Sequence, residues 1–354
     1  MPSAQLTADR LFRKCFSGSE ARAHVRREFG IDIGFTPGDE AFSAMLALSV
    51  LPRQCLSPTA VDTLVRQVES SRWHNRFRFF PGVGQFAADT DCTAHATSGL
   101  AAYDAIPRRQ LHAIVQELAG ATASHVQNSA GEGHRHDPHT GVIMVYWDDD
   151  AEPGAPPRGR KYDPVVCANA LHAMNLAQPP AISRDFCRVM TATLNHVRGH
   201  LVSGRYLRGT RYYPSPDAFL HAASHLCLNA ITPTPPLLEA LRGAFVRREA
   251  SLTAQEVTDP LQLALRIITA DNLAIAHTQD ERRATLARHQ RDDGSWPART
   301  YYRFGRVPLY FGSPQLSTLF AVKALRPADP PRLTSAAHPV DRTDAPSTIS
   351  GELQ

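Results

Sequence analysis

Six times along this chain a capping side chain stands directly before an apolar stretch of helical spacing, and no other feature limits the fold as strongly. The starts are Thr36-Pro37-Gly38-Asp39, Asp89-Thr90-Asp91, Asp163-Pro164, Ser215-Pro216-Asp217, Asp259-Pro260 and Ser313-Pro314. An Asp, Ser or Thr oxygen there accepts from backbone N–H groups that the first turn leaves unpaired. Proline just after it gives up a hydrogen bond that would not have formed. The starts fall at 36, 89, 163, 215, 259 and 313, with gaps of 53, 74, 52, 44 and 54 residues. Second helices fit between them at about 58–70, 107–127, 182–199, 234–250 and 278–290.

A helix pair repeated about every 50 residues cannot bury its apolar faces alone, so successive units must stack. Alternating, strand-like patterns are nearly absent. The expectation is an all-α fold: a single (α/α)6 barrel, or toroid, of six helix pairs, with one ring lining the interior and the other surrounding it. An irregular helical bundle is the competing expectation. The barrel spans 36–326, with a Gly/Pro/His-rich insertion at 128–162. Residues 1–35 read as a leader with one helix near 19–29, and 327–354 as a disordered Pro/Ser/Thr/Asp-rich tail.

Hydrophobic residues make up 43% and charged residues 20%, enough apolar content for a core. The net charge of +4 is scattered, which argues against a nucleic-acid footprint. Six cysteines without C-x-x-C spacing point to reduced thiols in an intracellular protein. With no signal pattern and no apolar run near the ~20 residues of a membrane span, a cytoplasmic location is expected. Peripheral membrane contact and oligomeric state stay open.

The sharpest chemical signal is PGVGQFAADTDCTAHA at 81–96. Asp89 and Asp91 flank one residue at a helix start, followed by Cys92, Thr93, Ala94 and His95. Two carboxyls held close together cannot comfortably both ionise, so one keeps its proton. The helix N-terminus stabilises the anion left behind when that proton is given away. The plainer account is that Asp89 caps the helix and Asp91 merely occupies its first turn. A second motif, Gln290-Arg291-Asp292-Asp293-Gly294-Ser295-Trp296, joins one helix end to the next start.

The run D-T-D-C-T-A-H resembles the class II terpene cyclases, which include the squalene–hopene and oxidosqualene cyclases. Bacterial members carry D-x-D-D followed by Thr-Ala, and the oxidosqualene enzymes carry D-C-T-A-E. Gln290 to Trp296 is similar to the QW motif of the same superfamily. The resemblance implies that Asp91 is the proton donor, Asp89 its partner and Cys92 a neighbour, with His95 in place of glutamate. Gln290 and Trp296 would tie adjacent repeats together. With room for one barrel, the chain is closest to the monodomain type.

The implied reaction is protonation-initiated cyclisation of a linear isoprenoid or prenylated (meroterpenoid) substrate, of isomerase or lyase type. No cofactor is implied, and magnesium would matter only for a diphosphate substrate. A cation needs an aromatic, water-free lining. Candidates before the helix starts are Phe86, Tyr146, Trp147, Tyr162, Tyr212, Tyr213, Phe219, Tyr302 and Phe304. Asn169 occupies the frame of His95 in the next repeat. Ordinary packing competes for each residue singly. His95, His172 and His221 are candidate closing bases.

Asp148-Asp149-Asp150-Ala151-Glu152 matches a D-D-x-x-E metal pattern but sits in a Pro/Gly-rich loop, so a solvated loop is expected. His134, His136 and His139 lack a periodic scaffold, and no metal site is assigned. Three other readings stay open. One is a non-catalytic or prenyl-binding toroid, and another is an (α/α)6 carbohydrate enzyme. The third is a prenyltransferase subunit, for which the Asp-x-Cys zinc spacing is missing.

Overall fold

The computed structural model describes residues 24–26, 40–82, 86–123, 138–149, 152, 154, 158–176, 183–228, 235–306 and 309–326. Six of its helices are buried around most of their circumference: α1 Phe42–Val50, α3 Thr90–Ala102, α5 Pro164–Leu176, α7 Pro216–His225, α10 Pro260–Asn272 and α12 Pro314–Leu325. Others bury only a stripe, as an outer helix should. In α2 (Pro58–Ser70) the buried residues are Leu64 and Val68, and in α4 (Arg108–Ala119) they are Ile114, Val115 and Leu118. The remaining outer helices are α6 Arg184–Val202, α8 Pro235–Ala250 and α11 Gln279–Arg288, with a short α9 at Ala254–Thr258.

The packing closes on itself. Helix α1 packs on α3, α3 on α5, α5 on α7, α7 on α10, α10 on α12, and α12 returns to α1. Outside this ring, α2 lies on α1, α4 on α3, α6 on α5, α8 on α7 and α11 on α10. The described residues thus contain six inner helices and five outer partners. The expected all-α toroid is the observed fold.

Most starts are built as the sequence predicts. Side chains of Asp89, Ser215, Asp259 and Ser313 accept from the first turns of α3, α7, α10 and α12. Asp163 Oδ1 accepts from Val165 N–H at 2.9 Å. The first start differs. Residues 36–39 lie outside the described residues, and the buried carboxylate of Glu40 accepts from Ser43 N–H at 2.8 Å.

Two expectations need correction. Within the predicted leader helix near 19–29, His24–Arg26 is instead a strand, β1. It pairs antiparallel with β5 (Tyr310–Gly312), which also pairs with β4 (Tyr302–Arg303). Backbone pairing to a ready strand edge prevailed there over a short helical pattern. The rest of the leader and the 327–354 tail lie outside the described residues.

The D-D-x-x-E segment is not merely solvated. Asp149 pairs with Arg76, while the buried Glu152 pairs with Arg78 and accepts from Ala88 N–H at 2.7 Å. The insertion is also laced to the start of α3, since Thr90 N–H donates to the Val145 carbonyl at 2.9 Å. Arg76 and Phe77 belong to a two-strand hairpin, β2 (Arg72–Trp73) and β3 (Arg76–Phe77).

Candidate active site

The pair of carboxyls is assembled at the start of α3. Asp89 is its N-cap, and Oδ1 accepts from Cys92 N–H at 2.8 Å. Asp89 N–H donates to the Phe77 carbonyl at 3.1 Å, and Phe77 N–H donates to Thr93 Oγ1 at 3.0 Å. The hairpin therefore fixes the first turn from outside.

Asp91 turns away from its own helix. Its Oδ1 accepts from Asn169 Nδ2 on α5 at 2.9 Å, and its Oδ2 accepts from the Tyr213 hydroxyl. Tyr213 stands in the loop before α7. That loop is pinned by Asp163, whose Oδ2 accepts from Tyr212 N–H at 2.9 Å. One buried aspartate thus caps α5 and aims the tyrosine at Asp91.

Asp89 is 7% exposed and Asp91 8%. Burial pushes both carboxyls above the usual range. Asp89 rises to about 7, with the charge of Asp91 adding to the burial and N–H groups of the first turn opposing it. Asp91 rises to about 6, burial again leading, against hydrogen bonds from Tyr213 and Asn169. Asp217 offers an internal contrast. It stands two residues past its cap, as Asp91 does, yet it is clamped by the guanidinium groups of Arg248 and Arg266. Among the described residues Asp91 has only neutral donors.

His95 lies one turn from Asp91, with Nε2 3.9 Å from Oδ1. Burial lowers its pKa to about 4, so it is neutral. Its Nε2 is 3.1 Å from Asn169 Nδ2, and its Nδ1 is 3.1 Å from Ser49 Oγ. The Asn169 amide has two hydrogens, one for Asp91 and one for His95 Nε2. That leaves the His95 proton on Nδ1, donated to Ser49, whose hydroxyl in turn donates to the Leu46 carbonyl at 3.2 Å. Cys92 is 1% exposed, and its thiol is pushed well up by burial and by the adjacent Asp89. It is a neutral neighbour of the pair.

Aromatic rings gather beside this network. Phe42 stacks on Phe79 at 5.3 Å between centroids and meets His95 and Tyr302 edge-on at 5.6 and 5.8 Å. Tyr213 meets Tyr301 edge-on at 5.3 Å. Tyr146 hydrogen-bonds Tyr212, and the charge of Asp89 reaches it. Phe86 packs on Phe80 at 4.9 Å under the Arg158 guanidinium, at a cationic rim that includes Lys161.

The structure does not bring every candidate to this place. Trp147 donates from Nε1 to the Glu117 carbonyl at 3.1 Å and lies under Arg76, which turns it toward α4. Tyr162 stacks on His139 at 4.3 Å and faces His196 on outer helix α6. Phe219 is fully buried, but against His200 and Tyr206 on the outer side. Phe304 is 48% exposed on the β4–β5 turn. Each precedes or opens a helix in sequence, yet helical phase or loop direction points its ring elsewhere. Conversely, Phe42 and Ser49 on α1 were not among the expected residues, because only the closed ring brings α1 to α3.

Gln290 donates from Nε2 to the Gly294 carbonyl at 2.9 Å and so closes its turn. Trp296 is buried, donating from Nε1 to the Leu286 carbonyl at 2.9 Å, while its N–H donates to Thr318 Oγ1 at 3.0 Å. Trp296 thus joins α11 through its indole and α12 through its backbone. Of the expected histidine-rich segment, His134 and His136 lie outside the described residues. Among the described residues, no group of three or more His, Cys, Asp or Glu is placed to hold a metal, and no helix is long and apolar enough to cross a membrane.

The class of fold is also met in a solved structure. A protein from Actinoplanes superposes with a TM-score of 0.57 over 91% of this chain and 98% of its own, at 17% identity. At that identity the likeness concerns the fold. In sequence, 185 residues are 31% identical to drimenol cyclase drtB of Aspergillus calidoustus. The match spans 52% of this chain and 31% of that protein, about a third of its length. The similarity supports a relationship to a terpene cyclase. No family model matches the chain.

Proposed function

We propose that this protein is a class II-type terpene cyclase that starts its reaction by protonation, with Asp91 as the acid. The observation that carries the reading is the state of Asp91, a buried carboxyl beside a second carboxyl, held by neutral donors and facing aromatic rings. At a value of about 6, part of Asp91 is in the acid form near neutral pH, and burial shields it from solvent. The O–H bond of Asp91 breaks as the terminal alkene, or an epoxide oxygen, takes the proton. For an alkene, its π electrons form the new C–H bond and leave a tertiary cation. Internal double bonds attack that cation in turn, and the rings of Tyr213, Tyr301, Phe42 and Tyr302 offer negative faces without a strong nucleophile. The Asp91 carboxylate left behind keeps its bonds from Tyr213 and Asn169, which strengthen as charge develops. Where Asp89 holds its proton, which it does below about pH 7, the pair is left with a single charge.

The substrate is proposed as a linear isoprenoid, free or attached to another group. The similarity to a drimenol cyclase favours a prenyl chain over a sugar. Product analysis tests this with free prenyl alcohols, prenyl diphosphates, epoxides and aryl-linked chains. Wild type should form a cyclised product from at least one, and Asp91→Asn none. For a substrate without diphosphate, the product should persist in EDTA. An Asp91→Asn variant as active as wild type removes the assignment. No product from any class favours the non-catalytic toroid.

A further inference from the structure

We propose that His172, His221 and His225 form the proton acceptor that ends the reaction, removing a hydrogen from the carbon beside the last cation. The inference rests on the acid-initiated cyclisation proposed above. The three imidazoles come from inner helices α5 and α7. The His172 and His225 ring centroids are 5.2 Å apart, and those of His225 and His221 are 4.5 Å apart. Counted from the helix caps, His221 occupies the layer of His95 and Asn169, while His172 and His225 lie one turn further in. In the same layer, α10 and α12 carry the buried Leu265 and Leu319. That layer is thus polar on the side of α3, α5 and α7 and apolar on the side of α10 and α12.

An unpartnered nitrogen alone does not mark a base, since His196 and His200 on outer helix α6 also have one among the described residues. His172, His221 and His225 differ in standing together on the inner ring. The His172 N–H donates to the backbone of His225, yet His172 Nδ1 is buried without a partner among the described residues. His221 is 4% exposed, and its Nε2 is likewise buried and unpartnered. Burying a lone pair unsatisfied costs stability, and a cationic intermediate gives it a use.

The path from the acid leads to these nitrogens. Tyr213 bonds Asp91, meets Tyr301 at 5.3 Å, and Tyr301 meets Phe320 at 5.1 Å. Phe320 meets His221 perpendicularly at 5.3 Å. A prenyl chain laid along this wall has its protonated end at Asp91 and its far end at the histidines. Burial lowers all three. His95 adds to it at His172 and His221, and Lys323 and neighbouring imidazoles add to it at His221 and His225. His172 falls to about 4 and His221 to about 3, so they are neutral at pH 7 with lone pairs available. A C–H beside a tertiary cation is far more acidic than either imidazolium. That C–H bond breaks, its electron pair becomes the C=C bond, and the proton binds imidazole nitrogen. Asp91 gives one proton and the cluster gains one, so the cyclisation is an isomerisation.

The test compares products of wild type, His172→Phe, His221→Phe and Asp91→Asn by gas chromatography–mass spectrometry. The histidine variants should consume substrate within about tenfold of wild type, since protonation is untouched. The wild-type olefin should cease to be the main product, replaced by double-bond isomers or water-captured alcohols. Unchanged product profiles beside an inactive Asp91→Asn overturn this proposal and leave the cyclase reading standing. So do folded variants without turnover, or a wild-type product carrying oxygen from 18O-labelled water. An active Asp91→Asn overturns the cyclase reading itself. Should the variants fail to fold, or no substrate turn over, wild type labelled with 15N-histidine is titrated with protonated N-methyldecahydroquinoline, a cation mimic. The His172 Nδ1 and His221 Nε2 resonances should move, and a response confined to other histidines counts against the proposal.

Discussion

At the scale of single residues, the difference between Asp91 and Asp217 decides what the repeat can do. Both stand two residues past a cap on an inner helix, and both are buried. Two guanidinium groups clamp Asp217, whereas Asp91 has a tyrosine, an asparagine and a second carboxyl. In the role proposed for it, Asp91 must be protonated to act, so kcat/KM should fall as pH rises through about 6 to 7, read from a pH–rate profile. Tyr213→Phe removes a donor that favours the anion. Its alkaline limb should therefore move to higher pH while kcat drops by about tenfold or more. The same raised values link folding to pH. The protonated pair stabilises the fold fully below the unfolded value of 3.8, and this stability is lost as pH rises through 6 and 7. Asp91→Asn should accordingly gain roughly 1–3 kcal/mol over wild type at pH 8 and little at pH 4, measured by thermal or denaturant unfolding. The Asp89–Asp91 pair was legible in the sequence because its chemistry is local to one helix turn. Ser49, 46 residues from His95, was not, since nothing in its own segment encodes a partner across the ring.

At the scale of elements, caps and small residues position the site. Five of the six starts were readable, because a cap bonds residues within its own turn. Ring direction was less readable: Trp147, Phe219 and Phe304 share a sequence context with Tyr213 but face other partners. Helices α1 and α3 approach closely at Gly99, where an added Cβ would stand 2.7 Å from Leu48 Cβ and 3.1 Å from the Ser49 backbone nitrogen. Gly99→Ala should push α1 away, weaken the Ser49–His95 contact and lower kcat more than it lowers folded content, checked by kinetics beside circular dichroism. Trp296 ties α11 to α12 through two hydrogen bonds. Trp296→Ala should cost about 3–5 kcal/mol of stability in chemical denaturation.

At the scale of the whole molecule, the closed ring makes distant segments neighbours. Helices α7, α8 and α10 are locked by Asp217, Arg248 and Arg266, with both arginines nearly fully buried. Arg266→Met should lose about 3 kcal/mol or more, because it removes one cation from a desolvated network. The overall architecture was legible from the spacing of starts. The β1–β5 pairing was not, since it joins residues 24–26 to 310–312 and no local pattern records so distant an edge. The central claim is that a proton from the protein starts the cyclisation. Enzyme equilibrated in D2O and given substrate for a single turnover tests it most directly. The account predicts one deuterium in the cyclised product, on the carbon that was the terminal alkene or, for an epoxide, on the hydroxyl before exchange. A cyclised alkene substrate whose product carries no deuterium would contradict it and would mean that ionisation, not protonation, begins the reaction.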